Sequence, residues 1–123
     1  RISFDTFNGN DNVLNIDGGN VGIGTTNPGL PLDVESSSYG LPVTSGTTQT
    51  NGKLRLKSTS STILLDMGIN ANSPYGGWLQ SADSTDLGYE YPLLLNPNGG
   101  NVGIGTTNPS EKLEVNGNIA GRI

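Results

Sequence analysis

The string GGNVGIGTTNP occupies residues 18–28 and returns, letter for letter, at residues 99–109. Eleven consecutive identities mark an internal repeat, and a repeat is one supersecondary unit used twice. The likeness runs past the string. Pro28 is followed four residues later by Leu32-Asp33-Val34, and Pro109 at the same spacing by Leu113-Glu114-Val115. An apolar stretch precedes each copy, Val13-Leu14-Asn15-Ile16 in one case and Leu93-Leu94-Leu95 in the other.

Each letter of the unit has a physical reading. Paired glycines at 18–19 and 99–100 supply positive φ for a tight turn, and the following Asn suits the same turn. Val-Gly-Ile-Gly then alternates as a strand does, so Val21 and Ile23 share a face, as do Val102 and Ile104. Glycine on the opposite face weakens a strand unless another backbone must come close. Three chains pressed around an axis would create that demand, which predicts that Val21, Ile23, Val102 and Ile104 pack inward against neighbouring chains. Thr-Thr-Asn-Pro closes the strand, because the residue before proline is pushed to extended geometry and proline sets a turn. Alternation resumes at Leu32 and Val34, and at Leu113 and Val115.

Two binding motifs come near this pattern and fail on context. Gly22-Ile23-Gly24 and Gly103-Ile104-Gly105 have the start of a dinucleotide fingerprint. The third glycine is Asn27 or Asn108, however, a proline follows, and no helix N-terminus is available to hold phosphate. Asn10-Asp11-Asn12 and Asp17-Gly18-Gly19-Asn20 offer oxygens, but not at the spacing of an EF-hand.

Composition narrows the function classes. At 123 residues the chain fits one domain or a small head between two short connecting pieces. Its apolar stock is thin, 32% with 19 glycines, so a lone chain buries too little and an obligate oligomer is expected. Disorder is the competing reading, but apolar runs such as Ile63-Leu64-Leu65 recur between turn residues and favour ordered β-structure. A net charge of −5 without a basic cluster argues against nucleic acid as a partner. Lys53, Arg55 and Lys57 alternate with Leu54 and Leu56, as a strand with one wet face would. Neither cysteine nor histidine occurs, which removes Ser-His and Cys-His catalysis and ordinary zinc ligation, so no cofactor, no metal and no enzymatic activity are expected. No stretch approaches the roughly 20 apolar residues of a membrane span, so no membrane insertion is expected. The chain is expected to be a soluble piece of a longer polypeptide.

GGNVGIGTTNP, followed in its second copy by KLEVNGNI at 112–119, resembles the connector that recurs in phage and viral tail-fibre (receptor-binding fibre) proteins and in related trimeric adhesive fibres of bacteria. The resemblance covers about residues 13–35 and 93–120. It implies a homotrimeric fibre on a virion or an extracellular appendage, with β-structured shaft elements on either side of a globular head. In that family a self-cleaving chaperone domain often follows; none is recognisable in this sequence, so self-cleavage is not implied here.

The segment between the repeats carries the individuality of the chain. Residues 53–57, 62–67, 77–82 and 89–95 read as strands, the first two joined as a hairpin through Ser58-Thr59-Ser60-Ser61. Tyr75, Trp78, Tyr89 and Tyr91 lie beside Asn72, Gln80, Asp83 and Asp86. Rings that stack on a sugar face, with carboxylates and amides for its hydroxyls, are the ingredients of a saccharide site. Tyr75, Trp78, Asn72, Gln80, Asp83 and Tyr89 are the candidate ligand residues. Trp78 has a second reading as core anchor, and Tyr75, in a turn-like Asn-Ser-Pro-Tyr-Gly-Gly, is the better exposed. Asp83 and Asp86 form a carboxylate pair of the type glycoside hydrolysis uses, but such pairs on polar turns are usually only solvated.

The sequence therefore predicts an all-β homotrimeric fibre segment. A shaft connector at 1–35, a small antiparallel, sandwich-like β head at 36–95 and a second connector at 96–123 make up its parts. Its expected role is attachment to a cell-surface glycan or receptor; a passive spacer and a polysaccharide depolymerase are the alternatives.

Overall fold

The computed structural model describes residues 2–4 and 14–121, and among them it shows nine strands and no helix. Asn10, Asp11, Asn12 and Val13 lie outside the described residues. The fold is all-β, as the alternation predicts. It divides into two compact units, one ending at Tyr91 and one beginning at Pro92.

In the first unit β1 (Ile2–Phe4), β2 (Leu14–Asp17), β3 (Asn20–Ile23) and β4 (Leu32–Val34) form a sheet in chain order. Strands β1, β2 and β3 pair antiparallel. Gly18 and Gly19, at φ 58° and 92°, make the two-residue turn between β2 and β3, whose mirror-image twist matches that of the flanking strands. The third pairing, β3 with β4, is parallel, with Val21 opposite Leu32 and Ile23 opposite Val34.

The second copy builds the same object. Here β8 (Val102–Ile104) pairs in parallel with β9 (Leu113–Val115), Val102 opposite Leu113 and Ile104 opposite Val115. The bonds repeat as well. Val21 N and Val102 N donate to the carbonyls of Pro31 and Lys112, each at 2.9 Å. The Asn20 and Asn101 amides donate to Pro28 O and Pro109 O at 3.3 and 2.8 Å, pinning the loop to the strand. Loop amides of Gly29 and Ser110 donate to the carboxylates of Asp33 and Glu114 at 2.8 and 2.7 Å. The copies differ upstream. Residues 93–95 form no strand, so the second copy lacks the hairpin partner that β2 gives the first.

The glycines of the strand are explained by the unit itself. A Cβ on Gly22 or Gly103 would stand 2.5 Å from the carbonyl oxygen of Thr25 or Thr106, in the loop that follows the same strand. A close backbone is indeed present, but the chain's own loop supplies it. Gly103→Ala should therefore cost about 1–3 kcal/mol through overpacking. Denaturant titration of the variant checks this, and an unchanged midpoint would show that the loop yields freely.

The segment after the first unit's parallel pair forms a meander of β5 (Gly52–Lys57), β6 (Ile63–Asn70) and β7 (Gly76–Asp83), paired antiparallel throughout. The expected hairpin is present, β5 against β6. The fourth expected strand, 89–95, is reduced to one bridge between Ala82 and Glu90, flanked by Asp83 N to Tyr89 O and Tyr91 N to Ser81 O at 2.9 and 3.1 Å. Pro92, which has no amide to donate, follows directly. Leu64, Ala82 and Leu87 are the buried apolar centre, with Val43 packed on it.

Candidate functional site

β6 alternates strictly: Leu64, Asp66, Gly68 and Asn70 are buried, while Ile63, Met67 and Ile69 are exposed and Leu65 is half-buried. Cross-strand partners share a face. Arg55, Gln80, Trp78 and Ala82 therefore lie with the buried set, and Leu54, Leu56 and Leu79 with the open set. The covered face is roofed by loops from either side of the meander, through Leu87 N to Gly46 O at 2.7 Å and Gly40 N to Ile69 O at 3.0 Å.

Under that roof sits an ion pair. Asp66 is 1% exposed and accepts two bonds from Arg55, Nε and Nη2 to its two oxygens, each at 2.7 Å. The fork matches the carboxylate, and the hydrogen bonds that Arg55 donates to Asp66 raise the Arg55 pKa above its ordinary value against the opposing pull of burial. Thr47, Thr48, Gln49 and Gly52 complete a polar recess of about 320 Å³ beside the pair. Alternation in 53–57 holds, and Arg55 and Lys57 are exposed on the basic face as expected, but the leucine face is exposed as well. Arg55 reaches inward to Asp66, and Lys53, at a register irregularity in β5, donates to Ser36 O, Ser36 Oγ and Ser38 O.

The six candidate ligand residues separate into three places. Trp78 crosses β6 so closely that a Cβ on Gly68 would stand 2.2 Å from its ring, and its Nε1 donates to Gly40 O at 2.8 Å. Gln80, opposite Asp66, is on the same covered face, half-buried, with Nε2 donating to Ser81 O at 3.0 Å. Asn72 and Tyr75 lie in the β6–β7 turn, where Tyr75 is 80% exposed and Asn72 N donates to Asn70 Oδ1 at 3.3 Å. Asp83 and the exposed Tyr89 stand at the other end of β7, roughly 25 Å from Tyr75 at the rise of an extended strand. Within one chain the structure thus brings Trp78 together with Gln80, Asn72 with Tyr75, and Asp83 with Tyr89, but not the three pairs with each other.

Asp83 gathers four donors: Thr85 Oγ1 at 2.6 Å, Thr85 N at 2.8 Å, Thr62 Oγ1 at 2.7 Å and Tyr91 OH at 3.1 Å. The Thr85 hydroxyl and then that of Thr62 do most to hold its carboxyl far below the usual carboxylate range, and in return the Tyr91 phenol is pushed up. A depressed pKa stabilises the fold above the unfolded value near 3.9 and is lost as pH falls below it. Acid titration of stability should show a decline below about pH 4 that Asp83→Asn flattens. An identical acid limb in the variant would assign the decline to other carboxylates.

The four connector residues expected at a trimer contact are all on one side of their strands. Val21 and Val102 are half-buried, and Ile23 and Ile104 are exposed, at 41% and 56%. Leu32 and Val34 of the first connector also line a groove of about 670 Å³ with Leu54, Met67, Ile69, Trp78 and Leu79. That groove is mainly aliphatic and was not anticipated; the strict alternation of 63–69 was the signal for it.

Among the described residues, no group of three or more His, Cys, Asp or Glu side chains is placed to hold a metal ion. Nor is any helix there long and apolar enough to cross a membrane. The chain matches no family model, no curated protein and no solved structure.

Proposed function

We propose that this chain is a segment of a homotrimeric, tail-fibre-like attachment protein on a virion or extracellular appendage. Its two repeat units serve as shaft connectors, and the intervening head is completed by neighbouring chains into a sandwich-like assembly that meets a cell-surface glycan or receptor. The observation that carries this reading is the repeat. Two β–loop–β units, built on one identical eleven-residue string and sharing the same register and Asn clamps, precede and follow along the chain a meander of different composition. Identical parts at two ends suit architecture; recognition needs the part that differs. Tyr75, 80% exposed, is the ring most accessible to a sugar among the described residues, while Trp78 is held by its bond to Gly40. Glycan contacts are weak singly, so three copies on one axis gain avidity.

The spacer reading draws on the separation of the six candidate residues along β7. Cell attachment decides between them. Tyr75→Ala should lower attachment severalfold with trimer mass and melting temperature retained, whereas Thr107→Ala in the connector should leave it unchanged. Full attachment by Tyr75→Ala, together with a blank glycan array, would leave the spacer. Shortened capsule chains after incubation with the protein would instead point to a depolymerase. Ile104→Asp should dissociate the trimer seen by light scattering, and an unchanged mass would remove Ile104 from the contact.

A further inference from the structure

We propose that the open face of the meander, formed by Leu54, Leu56, Ile63, Met67, Ile69 and Leu79, is covered by the same face of neighbouring copies of this chain. The inference rests on the trimeric reading above and names the surface of the head that makes the contact.

The meander leaves an apolar face to water. The face roofed by the chain's own loops holds Leu64, Ala82 and Trp78 together with Arg55, Asp66, Asn70 and Gln80, whereas the open face is aliphatic up to its end, where Asp83, bonded to Thr62, Thr85 and Tyr91, stands opposite Ile63. Six side chains at 37% to 55% exposure leave on the order of 500 Å² of apolar surface on one patch. That approaches the roughly 800 Å² that each partner contributes to a standard protein interface. The patch also continues beyond the meander, because Leu32 and Val34 line the same groove.

The chemistry of the patch selects the occupant. A surface that meets its own copies about a symmetry axis must not oppose like charges, and none of the six side chains is charged. Lys53, at the border, has its ammonium engaged by Ser36 and Ser38. A saccharide would find no polar side chain among the six, and a chain of net charge −5 is not drawn to an anionic lipid surface. A second copy offers an apolar, uncharged surface of equal size.

The absence of cysteine makes a direct test possible. Met67→Cys places a thiol in the patch, and Thr59→Cys places one in the exposed β5–β6 turn as reference. In the assembled trimer, Met67→Cys should react with a maleimide at least about tenfold more slowly than Thr59→Cys, with equal rates in denaturant. Leu79→Asp should yield monomers that keep their β-type circular dichroism. A native trimer in which both thiols react at one rate would overturn the assignment while leaving the trimer intact. A wild-type monomer would remove both this inference and the trimeric reading. A protected Met67→Cys thiol in a monomer would show that the chain covers its own face, which also overturns the proposal. Ile63→Cys, at the end of the same face, repeats the measurement should Met67→Cys not assemble.

Discussion

Arg55→Met should be among the most destabilising single changes in the head, lowering stability by about 2–4 kcal/mol and the melting temperature by roughly 10–20 °C. The reason lies in what remains, since Asp66 is 1% exposed and both its oxygens accept from Arg55. Methionine fills the volume of the stem but leaves a buried carboxylate without its partner. Because the Arg55 side chain is 32% exposed, water reaches part of the vacated space, and the loss falls toward the lower end for broken buried pairs. The double variant Arg55→Met/Asp66→Leu removes both charges and should recover most of the loss. Thermal melts at one fixed protein concentration, arranged as a double-mutant cycle, give the coupling. If Arg55→Met and Asp66→Leu destabilise additively, the pair contributes nothing beyond its separate parts.

Gly68→Ala should cost about 2–4 kcal/mol although it adds one methyl group. The new Cβ would stand 2.2 Å from Trp78 Cζ2, 2.4 Å from Cε2 and 2.9 Å from the carbonyl oxygen of Asn51. The last is backbone and cannot rotate away, so the indole must move. Moving it breaks the Nε1 bond to Gly40 O, which joins positions 38 residues apart and ties the roof to β7. Trp78 is the chain's sole tryptophan, so its emission reports the displacement directly. A red shift with a lowered melting temperature is the expected result. Unchanged emission and stability would mean that the indole is not seated over Gly68.

Much of the local structure was legible in the letters. The paired glycines at 18–19, the glycine-faced strand and the proline stop all correspond to observed backbone features, and the repeated string supplies one strand of the same parallel pair in both copies. Strand alternation read in 53–57 holds in β5, whose Leu54 and Leu56 share one face and Arg55 and Lys57 the other. The strand expected at 89–95 did not extend as predicted, because apolar propensity at Leu93, Leu94 and Leu95 does not provide a neighbour to pair with, and Pro92 interrupts the ladder.

The candidate site was less legible. Tyr75 was readable as exposed because Pro and Gly frame it in a turn. The division of the six ligand candidates among three places was not, since composition counts neighbours along the chain whereas an extended strand carries Tyr75 and Asp83 to opposite ends.

By itself, then, the sequence determined the all-β class, the repeated unit and the set of residues that share each face, because turn chemistry and a two-residue period are local properties. Tertiary structure alone decided which face is covered. Arg55 and Lys53 looked like the wet side of a strand, and Leu54 and Leu56 like its buried side. Long-range bonds from Gly40 and Gly46 instead bring the roof over the polar face, where Arg55 meets Asp66 and Trp78 is seated on Gly68. Two faces of one strand are equivalent until a distant segment packs on one of them, and no period along the chain records which one it chooses.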